Sequence, residues 1–106
     1  MPKYLVRASY TPAGAKGILE QGGSARRKAV EELLAALGGR LEAFYFAFGG
    51  DDAFIIIELP DNVTAAAVGL TVAASGSIES TTTVLLTPEE VDEAAKKPVA
   101  FRPPGR

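Results

Sequence analysis

Residues 40–59 read RLEAFYFAFGGDDAFIIIEL, and this stretch decides the fold. Two runs rich in β-branched and aromatic residues flank Gly49, Gly50 and Asp51. Such a pattern predicts two antiparallel strands, Arg40–Phe48 and Asp52–Leu59, joined by a tight hairpin and closed by Pro60. Outward from the hairpin, Ser24 has the chemistry of a helix cap, and Val30, Leu33, Leu34 and Leu37 follow at helical spacing until Gly38 and Gly39 stop the run. On the other side Asp61 or Asn62 caps an alanine-rich helix over about 63–74.

The ends complete the pattern. KYLVRASY at Lys3–Tyr10 alternates as a first strand, followed by a short helical turn over 15–21, and SIESTTTVLL at 77–86 is a fourth strand. Thr87-Pro88-Glu89-Glu90 starts a short helix with a cap, a proline in first position and a capping-box glutamate. The order β-α-β-β-α-β is the ferredoxin-like arrangement: an α+β fold with a four-stranded antiparallel sheet and its helices on one face. Residues 1–97 read as one domain, and 98–106 as a proline-rich tail that is extended and packs on a neighbour.

Strict alternation places Tyr45 on the helix side with Tyr4, Val6, Ala8, Ile55 and Ile57. It places Phe44, Phe46, Phe48, Phe54 and Ile56 on the opposite side, with Arg7, Glu42, Glu58 and Glu79. A sheet covered on one face only keeps its other face polar. Four phenylalanines there mark an interface, so sheet-to-sheet pairing into a homodimer or larger homo-oligomer is expected. The 47% hydrophobic content of a 106-residue chain agrees, because so short a chain hides only about two-thirds of its surface.

The absence of cysteine excludes disulfides, thiolate nucleophiles and zinc–thiolate or iron–sulfur sites, and the absence of histidine removes the usual general base and metal ligand. No cofactor and no metal are expected. A net charge of −2 gives no overall electrostatic footprint for nucleic acid, and no apolar stretch is long enough to span a bilayer. With a strand pattern from Lys3 onward, no secretory leader is expected, and the location expected is the cytoplasm.

The segments GGSARRKAVEELLAALGG, LEAFYFAFG, ELPDN and VLLTPEEVDEA occur in order, and with them the chain from Pro2 to about Ala95 resembles the GYD domain family. The resemblance implies a bacterial or archaeal protein of the dimeric α+β barrel type. Gly49 and Asp52 match the family's namesake turn, whereas Asp51 stands where the family has tyrosine.

Three constellations carry possible chemistry. Gly23, Ser24, Arg26 and Arg27 at a glycine-led helix start form a candidate anion seat; the alternative is a capped helix whose cations pair with Glu31 or Glu32. Arg7 and Glu58 on the open sheet face, or Tyr45 on the helix side, are candidate catalytic groups; the alternative is ion pairs that orient a dimer. The phenylalanines line either an apolar pocket or an interface. The leading expectation is an oligomeric domain that binds a small anionic or aromatic ligand or serves as an interaction module. A cofactor-free monooxygenase or isomerase on an aromatic or enolisable compound is the alternative, and a structural subunit bridged by its tail is a third reading.

Overall fold

The computed structural model describes residues 1–105; Arg106 of the proline-rich tail lies outside the described residues. The elements run β1 (Lys3–Tyr10), α1 (Pro12–Gln21), α2 (Gly23–Ala36), β2 (Arg40–Phe46), β3 (Ala53–Glu58), α3 (Asn62–Ser75), β4 (Ile78–Leu85) and α4 (Pro88–Ala95). The strands form one antiparallel sheet in the order β2-β3-β1-β4, so the fold is α+β. No helix among the described residues is long and apolar enough to cross a membrane.

Cap chemistry explains most boundaries. Asp61 accepts from the Thr64 N–H at 2.8 Å and starts α3. Thr87 and Glu90 bond reciprocally, at 3.1 and 2.9 Å, at the start of α4. The same Thr-Pro signature starts α1: Thr11 accepts from the Gly14 N–H, and its hydroxyl donates to the Gly76 carbonyl at 2.9 Å. That cap makes α1 a full ten-residue helix where the sequence suggested one turn. Ser24 is not a cap, because α2 begins one residue earlier, behind Gly22.

After α2 the chain turns sharply into β2. At Gly39 an added Cβ would lie 2.2 Å from the Glu58 carbonyl oxygen, so only glycine lets β2 begin this close to the end of β3. Buried Tyr4, Ala8, Leu34, Ala53, Ile55, Ile57, Leu59 and Ala65 form the core between the sheet and α2 and α3. Tyr4, 1% exposed, donates its hydroxyl to Asn62 Oδ1 at 2.7 Å, so the buried phenol is satisfied.

One irregularity corrects the expected faces. Leu41 pairs with Ile57, but Ala43 pairs with Ile56, so Glu42 is an extra residue in β2. Such a bulge shifts the alternation by one. Beyond it Phe44 pairs with Ile55 and Phe46 with Ala53, both on the helix side, while Tyr45 pairs with Phe54 on the open side. Phe44 and Phe46 therefore leave the expected interface set and Tyr45 enters it. Phe48 lies beyond β2 in the connection to β3 and is fully exposed; only Phe54 and Ile56 keep their expected strand positions on the open face.

Candidate functional site

On the helix side, α2 leans on β2 and α3 on β4, and the two helices stand apart over the middle of the sheet. Between them is a cavity of about 80 Å³. Its floor is Val6, Ile55 and Ile57; its walls include Val30, Leu34 and Val68. A single water needs only about 10–15 Å³, and walls this apolar offer water few partners. Three polar side chains break the lining: Arg26 from the first turn of α2, and Ser80 and Thr82 from β4. Among the described residues that line the cavity, Arg26 is the one charged group.

Arg26 is half-buried, and among the described residues no carboxylate forms an ion pair with it. Its guanidinium lies beside Tyr10. Burial pushes the Tyr10 phenol above its ordinary value, and the Arg26 charge opposes that shift. A cation at the rim of an apolar hollow is costly without a counter-charge.

Adjacent Arg27 takes a different course. Gly23, Ser24 and Arg27 meet Phe44 and Phe46 around a shallow surface hollow of about 240 Å³. The rings of Phe44 and Phe46 lie 5.0 Å apart, and a Cβ on Gly23 would be 2.8 Å from Phe46 Cε2, so the glycine lets α2 start directly over that ring. Arg27 also lies 3.6 Å from Glu31 one turn along α2. The four residues of the expected anion seat thus divide: Gly23, Ser24 and Arg27 face this hollow, and Arg26 faces the cleft.

The open face separates the three expected catalytic groups. Arg7 and Tyr45 flank Phe54 in one row across the sheet. Glu58 is opposite Lys3, four residues along β1 from Arg7 and so about 13 Å away. Glu58 is buried and bonded to the Arg40 guanidinium, which holds its carboxyl below the usual 4.5. Such a group is a weak base at neutral pH. Lys3 pairs with Glu42 at 2.6 Å, and Arg7 approaches Asp51 at 3.8 Å. Asp51 therefore answers the charge of Arg7.

Asp52 has a structural assignment. Its carboxylate accepts from the Tyr10 N–H at 2.8 Å, and its own N–H donates to the Ala8 carbonyl at 2.8 Å. These bonds clamp the β2–β3 connection to the end of β1. Ser80 and Thr82 were not singled out from the sequence, although polar residues at alternate positions of a strand face that should be apolar are a readable signal. The cleft itself has no such signature, because it arises from the gap between two helices.

Fold and cleft together define a small α+β domain with a lined hollow between its sheet and its helices. Residues 4–95 match the GYD domain model, and the chain belongs to that family. Neither the curated proteins nor the solved structures compared with it give a significant match.

Proposed function

We propose that this protein is an oligomeric small-ligand-binding domain of ferredoxin-like architecture. Its ligand is a compact apolar body bearing one anionic group. The body sits in the cleft between α2, α3 and the sheet, and the anion meets Arg26, with Ser80 and Thr82 as hydroxyl donors. The observation that carries this reading is the apolar cavity of about 80 Å³ whose one charged described lining residue lacks a carboxylate partner. Apolar walls with a few convergent polar groups are the usual make-up of a small-molecule site.

The strand order β2-β3-β1-β4 supports the ferredoxin-like assignment. Pairing of two open sheet faces, as in a dimeric α+β barrel, has support from exposed Tyr45 and Phe54 side by side on that face. The enzymatic alternative has less support, since Glu58 is engaged by Arg40 and remote from Arg7.

Benzoate and octanoate serve as probes, with benzamide as the neutral control. Each carboxylate is expected to raise the melting temperature of the protein. Arg26→Met is expected to weaken their binding at least about tenfold, a loss of about 1.4 kcal/mol, and Val72→Phe to block it by filling the cavity. Equal binding of benzamide and benzoate, or undiminished carboxylate binding by Arg26→Met, overturns the assignment.

A further inference from the structure

We infer that the ligand is a straight-chain amphiphile whose alkyl chain leaves the cleft beneath α3 at Gly69 and enters a second hollow, so that Gly69 sets the length of chain accepted. The inference rests on the ligand reading above and deepens it: the body held in the cleft is the first part of that chain.

The second hollow, of about 350 Å³, lies between α3 and β4. Ala65, Gly69 and Thr82 line both it and the cleft, so the two hollows meet beneath α3. Ala65 and Gly69 are about one helical turn apart and share a face. Ala65 is buried in the core, and the helix rests there. At Gly69 that support is missing: an added Cβ would meet no neighbouring atom within 4 Å. Thr82 agrees from the other side of the gap, because it lines the space beneath the helix and is nonetheless exposed. The opening left by one absent side chain suits a single unbranched chain.

The pairing of β1 with β4 sets the hollows end to end. Arg26 lies beside Tyr10, which pairs with Ile78 of the cleft. Tyr4 and Val84, which pair with each other, line the second hollow. From Ile78 to Val84 the strand covers about 20 Å. One end of this path is cationic. At the other end no described lining residue is charged, and the Tyr4 hydroxyl is already bonded to Asn62. Leu70 and Val84 stay 74% and 52% exposed there, apolar surface that a hydrocarbon tail would cover. The path thus matches a molecule with one anionic end and methylenes along its length.

The test is calorimetric titration with dodecanoate, kept below its micelle concentration, and with benzoate as the compact reference. Dodecanoate is expected to bind the protein at least about tenfold more tightly than benzoate. Gly69→Leu, which fills the opening, and Val84→Glu, which puts a charge in the second hollow only, are each expected to weaken dodecanoate at least about fivefold. Val84 is half-exposed, so Val84→Glu decides the matter should Gly69→Leu fail to fold. Benzoate bound through Arg26 with dodecanoate no tighter overturns the inference and leaves the ligand reading standing. Tight dodecanoate binding that persists undiminished in Val84→Glu also overturns it, because the chain then lies elsewhere. If neither carboxylate binds, the ligand reading and this inference fall together.

Discussion

The two faces of the sheet are made from the same strands by different means. On the helix side Tyr4, Ala8, Ala53, Ile55 and Ile57 are closed over by α2 and α3, and stability there comes from removing apolar surface from water. On the open side the same strands present Lys3–Glu42, Arg7–Asp51 and Arg40–Glu58 pairs around Phe54 and Tyr45. Shape governs the first face and charge the second. Exposed ion pairs contribute little to stability but constrain which surfaces can approach them. The helix side therefore holds the fold, while the open side limits which surfaces can lie against it.

Three measurements break or sharpen that contrast. The largest expected effect is on the helix side: Leu34→Ala, at a position 1% exposed, should cost about 2–5 kcal/mol by chemical denaturation. A cost below about 1 kcal/mol would mean that α2 is not anchored as described. Next is Phe54→Lys on the open face. It should change the stability of the isolated subunit by no more than about 0.5 kcal/mol, yet weaken self-association. A large loss in the urea midpoint at concentrations where the protein is monomeric would erase the distinction between the faces.

The smallest expected effect is the acid response of the open face. The Arg40 guanidinium holds the folded pKa of Glu58 below the ordinary 4.5. The stabilisation is thus fully present above that ordinary value and is lost as the pH falls through the lower, folded value. Asp61, bonded to the Thr64 N–H, and Glu90, bonded to the Thr87 N–H, behave in the same direction. Glu58→Gln should flatten part of the acid limb when urea midpoints at about pH 7 and about pH 3 are compared. An unchanged slope would show that the pair does not couple to folding.

The sequence exposed the elements more readily than the faces. Gly38 and Gly39, the Gly49–Asp51 turn, Pro60 and the Thr87 capping box punctuate the chain, and the strands and the longer helices fall between them. Thr11-Pro12 uses the same start chemistry as Thr87-Pro88, so the full length of α1 was readable too. The bulge was not. Phe44, Tyr45 and Phe46 are three aromatics in succession, so either register leaves an aromatic on each face and the hydrophobic pattern does not choose between them.

The candidate site was legible only in part. Arg26 and Arg27 stood out together as cations at a helix start, yet one turn of helix directs neighbouring residues to different sides, and only the packed structure says which side is the cleft. Ser80 and Thr82 were visible as polar residues on an apolar face. The separation of Arg7 from Glu58 follows from the β1–β3 register, which local sequence does not encode.

The position of β1 carries a consequence for how the chain reaches this state. β1, which precedes the other three strands, is an inner strand of the sheet, and its partners come late: Val6 pairs with Ile55 on one side and with Thr82 on the other. The sheet cannot close until β4 has been synthesised, and contacts of such sequence separation make folding slow. Until then β1 waits with both hydrogen-bonding edges open, and the nascent chain is most exposed to mispairing before its last strand emerges.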